Sequence, residues 1–156
     1  MPAEIVSTNL NLIVPAATPY HFGILSSAMH MAWVRNVCGR LKSDYRYSAG
    51  IVYNNFPWPQ APTDQQQQAI AQAAQGVRET RARYPDSSLA DLYDPLAMPP
   101  ALVKAHQRLD AAVDAAYTKK KFTGDSDRVA FLFGLYQQLT SLLAPTTGKR
   151  RLRAVR

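Results

Sequence analysis

The chain has 156 residues and carries 18 Lys and Arg against 11 Asp and Glu, a net charge of +7. That length suits one domain, or the end of one domain joined to a small second one, and leaves no room for a nuclease and a methyltransferase together. With 47% apolar and 19% charged residues the chain can bury a core, and its single cysteine, Cys38, excludes an internal disulfide framework and a Cys-rich zinc site.

Met1 to Val14 holds an acid at Glu4 and no basic stretch, so no targeting signal is read there. The longest apolar run, Val129 to Tyr136, is too short to span a bilayer, and a cytoplasmic protein with no membrane partner is expected. Leu10 to Val14 reads as a short strand, ended by Pro15. Phe22, Leu25, Met29 and Trp33 then fall on one face of a helix that Gly39 should close, with Ser26, Ser27 and His30 elsewhere on it. From there the period changes to two: Leu41, Ser43, Tyr45 and Tyr47 alternate with Lys42, Asp44, Arg46 and Ser48, which predicts a strand. A turn at Ser48 to Gly50 would lead to Ile51–Tyr53 as its hairpin partner. Pro57 and Pro59 end the sheet, because proline cannot donate to a ladder.

After Pro62 the pattern is helical throughout. Thr63 with Gln66 forms a capping box ahead of Ile70, Ala73, Val77 and Tyr84 at helical spacing. Leu89–Tyr93 is a short helical turn, and Leu102, His106, Leu109, Val113 and Tyr117 make the next apolar stripe. Asp125 or Ser126 can cap a last helix, apolar around most of its girdle through Leu142 and Leu143, that should be largely buried. The fold class expected is α+β, predominantly α: a small N-terminal part containing a β-hairpin, then a helical C-terminal domain.

Charge is unevenly placed. Lys149, Arg150, Arg151, Arg153 and Arg156 supply five of the 18 basic residues, and without this tail the net charge would be +2. Such a tail is most simply a solvated terminus, the functional alternative being an arm on phosphates. Arg35, Arg40, Lys42 and Arg46 meet only Asp44, whereas 85–128 holds six bases and seven acids and is near neutral by count.

Tested for chemistry, the sequence holds no G-x-G-x-x-G or G-x-x-x-x-G-K-[ST] loop for a nucleotide-type cofactor and no D-x-K or E-x-K triplet of a metal-dependent nuclease. His21, His30 and His106 lack a serine or cysteine at a recognised spacing. His106, on an apolar stripe, reads as a packed core histidine, and Asp110 and Asp114 as a solvated helix face. No catalytic, cofactor-binding or metal residue is expected in this chain.

Met29 to Pro59 is the informative segment. Lys42 and Asp44 lie two apart, so an extended strand would send both side chains from one face, with Arg46 beyond. Lysine donates to guanine O6 and N7 in the major groove and aspartate accepts from cytosine N4, so the two could read one G·C pair. The bland alternative is a cross-strand salt bridge, worth little. Arg35, Arg40 and Arg46 would supply phosphate contacts that position such a reader, while Tyr45, Tyr47 and Tyr53 read as packing rather than base stacking.

The words Phe22-Gly23-Ile24-Leu25-Ser26-Ser27, Met29-His30-Met31-Ala32-Trp33, Ser43-Asp44-Tyr45-Arg46-Tyr47-Ser48 and Tyr53-Asn54-Asn55-Phe56-Pro57-Trp58-Pro59 resemble the MmeI-like restriction-modification enzymes. These join an endonuclease, an adenine-N6 DNA methyltransferase and a target-recognition domain in one chain. Leu92-Tyr93-Asp94-Pro95, Ala105-His106 and Ala112-Val113-Asp114 resemble the family's C-terminal helical region. The resemblance implies that 1–62 ends a target-recognition domain and 63–156 is a C-terminal helical domain with a basic tail. It implies double-stranded DNA as partner and the Lys42 and Asp44 positions as the determinant of the last base pair, Lys-x-Asp and Glu-x-Arg being alternative forms that read opposite orientations of G·C. Ser26, Ser27 and His30, within the matching words, join Arg35, Arg40 and Arg46 as candidate DNA-backbone contacts. S-adenosylmethionine and Mg are implied only for methyltransferase and endonuclease domains, whose motifs are absent here, so the chain would be an excised fragment or a truncated reading frame. The other readings left open are a protein-interaction or dimerisation module of that enzyme, or a free-standing RNA-binding protein.

Overall fold

The computed structural model describes residues 11–141; Leu10, Leu142, Leu143 and the basic tail lie outside them. Helix α1, Pro19–Leu25, starts where Pro19 needs no donor and where His21 Nδ1 accepts from the Thr18 N–H at 3.2 Å. Helix α2 is Ala28–Val37. The single helix expected from Phe22 to Gly39 is therefore two, and Ser27 is the reason. Its hydroxyl donates to the Ile24 carbonyl at 2.7 Å, closing α1, and accepts from the His30 N–H at 3.3 Å, capping α2. The apolar spacing that suggested one helix runs straight across this break.

The hairpin, too, lies elsewhere than expected. Strand β1 is Gly39–Leu41 and β2 is Asp44–Arg46, paired antiparallel with Gly39 opposite Arg46, Arg40 opposite Tyr45 and Leu41 opposite Asp44. Strand β2 and the last residue of β1 fall within the run expected to be one strand, β1 beginning at the glycine expected to close the helix, and Lys42-Ser43 is the turn. Ile51–Tyr53 is not a strand; it belongs to a single π-helical turn, Ala49–Tyr53. Ser48 Oγ accepts from the Ile51 N–H at 3.3 Å and Trp33 Nε1 donates to the Val52 carbonyl at 3.0 Å, and these contacts override the strand preference of Ile-Val-Tyr. The described part of the predicted Leu10–Val14 strand is irregular, with no strand beside it to pair with.

Helix α3, Asp64–Arg81, opens on the Thr63–Gln66 capping box as expected. A one-turn helix α4, Leu89–Leu92, and α5, Pro100–Tyr117, follow. Helix α6, Asp125–Thr140, places Asp125 and Asp127 in its first turn, where the helix dipole favours them. It is less buried than its apolar girdle suggested. Leu132 is fully buried, but Phe133 and Leu139 are 39% and 52% exposed, because α2 is the main helix packed along it.

The fold class is the one expected, helices with one small antiparallel hairpin. A single core crosses Pro62, joining Ile24, Met29, Trp33 and Phe56 to Ile70, Leu109 and Leu132. In it α3 lies on α5, α1 covers α3, and α2 carries α6. Asp110 and Asp114 are not a solvated face. Asp110 Oδ1 accepts from the Ala28 N–H at 2.7 Å, stitching α5 to the start of α2, and Asp114 takes Arg128 in a two-pronged pair at 2.6 and 3.1 Å. Burial raises the Asp110 carboxyl above its usual range, partly offset by the Ala28 bond and Arg128.

The close approach of α1 to α3 needs Gly23. A Cβ there would lie 2.7 Å from Ile70 Cγ2 and 3.2 Å from Leu109 Cδ1, both core atoms. Gly23→Ala should therefore lower stability by about 1 to 3 kcal/mol, although alanine is intrinsically the better helix former by about 1 kcal/mol. Denaturant unfolding decides which effect wins; an unchanged or raised midpoint would contradict this packing.

Candidate nucleic-acid interface

The hairpin stands out from the helical body: every residue from Gly39 to Tyr47 is exposed. Its register sorts the charges. Arg40 and Tyr45 share one face, and Leu41, Asp44 and Arg46 share the other, with Leu41 65% exposed. Lys42 sits at the tip, the first of two turn residues, with φ 56. Left-handed backbone costs a residue with a Cβ about 1 to 2 kcal/mol, which is why glycine or asparagine usually fills it.

Lys42 and Asp44 thus do not leave one face of an extended strand as expected; Lys42 is in the turn and Asp44 is the first residue after it. Nor do they pair with each other. Among the described residues the ion pairs are Arg35–Asp125, Arg128–Asp114 and Arg128–Asp125, and the side chains of Lys42, Asp44 and Arg46 make no hydrogen bond or ion pair. The cross-strand salt bridge weighed as the bland alternative is not formed.

Arg40 is held. Its guanidinium lies 4.2 Å from the Tyr45 ring centroid, with Nη1 donating to the Ser43 carbonyl at 3.2 Å and Nη2 to the Tyr45 hydroxyl at 3.3 Å. It braces the turn in which Lys42 sits. This role was missed in the sequence, where only a two-residue turn between Leu41 and Asp44 would have brought Arg40 and Tyr45 opposite each other. Arg35 is also engaged, tying the end of α2 to Asp125 at the start of α6.

Ser27 and His30 are not the surface groups a backbone contact would need. Ser27 is fully buried in its capping role and His30 is 3% exposed; Ser26 is half-buried at the end of α1. His30 packs edge-on to Phe56 with centroids 4.5 Å apart, and its Nε2 is 3.0 Å from the Tyr47 hydroxyl, which anchors the strand after the turn. Tyr47 and Tyr53 are packing residues, Tyr53 against Trp58 at 6.0 Å. An apolar cavity of about 510 Å3, lined by Leu12, Leu25, Met31, Val34 and Tyr45 among others, separates the hairpin from α1 and α2. His106 is packed as expected, 2.6 Å from the Tyr93 hydroxyl.

Among the described residues no three His, Cys, Asp or Glu side chains gather as a metal would require, and no helix is long and apolar enough to cross a membrane.

The chain has close relatives among known proteins. The family models described as the MmeI target recognition domain and the MmeI C-terminal domain match residues 1–60 and 62–144. DNA methyltransferase A of Bacillus subtilis (strain 168) is 43% identical over 138 residues, covering 88% of this chain and 16% of that protein. A solved structure of the Type IIL restriction-modification enzyme MmeI in complex with DNA is 54% identical with a TM-score of 0.79, over 83% of this chain and 17% of that one. The chain thus spans about a sixth of the length of either relative.

Burial holds the His30 imidazole down to about 4, well below the usual 6.5. As pH falls from 6.5 towards 4 the unfolded chain takes up a proton that the folded chain refuses, so stability drops through that window, by up to about 3 kcal/mol. His30→Asn should remove most of this slope in denaturant unfolding between pH 7 and pH 4.5; identical slopes in both proteins would contradict it.

Proposed function

The chain belongs to the MmeI family, and from that premise we propose that it binds double-stranded DNA and reads one base pair with the tip of the β1–β2 hairpin, as the recognition part of an adenine-N6 methyltransferase and restriction enzyme. The observation that carries this reading is the tip itself. A lysine occupies a left-handed turn position where glycine would relieve about 1 to 2 kcal/mol of strain, and neither it nor Asp44 forms an ion pair with a described residue. Strain kept at an exposed, unpaired charge points to use of that side chain.

The roles follow from donor and acceptor chemistry. Lys42 donates to guanine O6 or N7, and Asp44, on the other side of the turn, accepts from the N4 amino group of the paired cytosine. Arg46, two cross-strand pairs further from the tip on the same face as Asp44, faces the flanking phosphate. Arg40 is a positioning residue that keeps the turn in shape from the opposite face. Leu41, exposed beside Asp44, can lie against a base edge. Swapping the pair to the Glu-x-Arg form places the acceptor where the donor was and so inverts the base pair preferred.

Methyl transfer and strand cleavage belong in this proposal to parts of the enzyme that the chain does not span. A catalytic Mg does not fit the described residues: no three of their acids or histidines gather as it would require, and the acids near the start of α6 are paired with Arg128 and Arg35 or accept from backbone donors. S-adenosylmethionine has no assigned residue here.

The test is selection of bound duplexes from a randomised pool by the full chain. At one position the parent should enrich G over C by an amount equivalent to about 1 to 3 kcal/mol, and Lys42→Glu combined with Asp44→Arg should enrich C over G there. Arg40→Lys, which keeps the charge but loses the planar fork, should soften the preference without changing overall affinity. The same enriched sequence from the parent and the double variant would contradict the reading, as would a preference for single-stranded RNA over every duplex.

A further inference from the structure

By count, residues 85–128 are near neutral. That count hides an uneven arrangement, because the acids around the start of α6 are committed to the fold. Asp110 caps α2, Asp114 holds Arg128, Asp125 holds Arg35, and Asp127 accepts from the Thr123 N–H and hydroxyl at 2.9 and 2.6 Å. Beside them the α5–α6 loop carries three consecutive lysines, Lys119, Lys120 and Lys121, all exposed. Their side chains make no hydrogen bond or ion pair with a described residue. Lys120 comes near enough to help hold the Asp127 carboxyl low, but the Thr123 bonds are the larger cause.

Contacts between α2 and α6 tie the end of this loop to the helix that leads into the hairpin. Trp33 lies against Phe133 and Tyr136, with ring centroids 5.4 and 5.7 Å apart, while Arg35, nearer the end of α2, reaches Asp125 at the start of α6. The Arg35–Asp125 pair ties the start of α6, four residues after Lys121, to the helix that leads into β1. Strand β1 starts two residues past α2, and Lys121 is four residues before Asp125, within about 14 Å of it even if fully extended. The loop is also held in place. The Lys120 N–H donates to Thr118 Oγ1 at 3.2 Å, and Phe122 packs edge-on against Phe131 at 5.4 Å.

We propose that the Lys119–Lys121 loop is a second contact surface for the duplex, gripping backbone phosphates beside the base pair that the hairpin reads. This rests on the DNA reading above and assigns to the helical half a direct share in it. Lysine suits such a contact, because three donors on a flexible stem act as a point charge that follows phosphates without selecting a base. Each phosphate neutralised releases counterions, so the contact has a signature separate from base reading.

The experiment is a titration of the full chain with two duplexes, differing only in the orientation of the base pair the hairpin reads, over a series of salt concentrations. Replacing Lys119, Lys120 and Lys121 together by Gln should weaken both duplexes by the same factor and leave the preference between them intact. The slope of log K against log salt should become shallower by about 2 to 3, at roughly 0.9 per phosphate contact. Replacement of all three by Arg should restore the parent slope, and an unchanged circular dichroism spectrum checks that the Gln protein is folded. Salt-dependent binding by the parent with an identical slope in the Gln variant overturns the loop contact alone. Absence of salt-dependent binding in the parent overturns the DNA reading, and this inference with it.

Discussion

Trp33 is the contact on which the rest of the structure depends. Its indole N–H donates to the Val52 carbonyl, and its ring meets Phe56, Phe133 and Tyr136. One side chain thus joins α2, the π-helical turn, the proline-rich segment after it and α6. Truncating a buried tryptophan typically costs about 3 to 5 kcal/mol, but the geometric consequence matters more here. The hairpin leaves the body between α2 and the π-helical turn, and Trp33 fixes both. A strand pair of three residues each has little stability alone; pinned at both roots and braced by Arg40 on Tyr45, it can hold a lysine in a strained turn.

The same economy governs charge. Acidic side chains in the body act as caps and clips: Asp110 on α2, Asp114 on Arg128, Asp125 on Arg35, Asp127 on Thr123. Among the described basic side chains, Arg35 and Arg128 are held by acids, Arg40, Arg78 and Arg81 by neutral acceptors, while Lys42, Arg46 and Lys119–Lys121 form no ion pair with a described residue. Net charge conceals that division, because it does not say which charges are held in direct contacts and which reach solvent unpaired. A polyanion would meet these unpaired side chains first.

How far the sequence could be read follows from which interactions are local. The Thr63–Gln66 capping box, the short helix at Leu89 and the stripe from Leu102 to Tyr117 depend on neighbours three or four residues away, and all were legible. The break between α1 and α2 was not, since Phe22, Leu25, Met29 and Trp33 keep helical spacing across it while Ser27 works underneath. The hairpin was expected in the right region with the wrong turn. Lys42-Ser43 carries none of the glycine or asparagine chemistry that marks a tight turn, and the alternation from Leu41 to Tyr47 continues through it as if the chain were extended. Among the site residues, the exposure of Lys42, Asp44 and Arg46 was anticipated, but the commitments of Arg40, Arg35, Ser27 and His30 depend on partners that only the fold brings near.

The central claim is that a lysine at the hairpin tip touches the major-groove edge of one guanine. Dimethyl sulfate methylates guanine N7, the atom Lys42 would cover under this claim, so footprinting of the bound duplex reads that contact directly. One guanine should be protected by the parent chain and regain full reactivity with Lys42→Ala, while neighbouring guanines stay unchanged. Equal protection by both proteins, or none by either on a duplex that is bound, would contradict it.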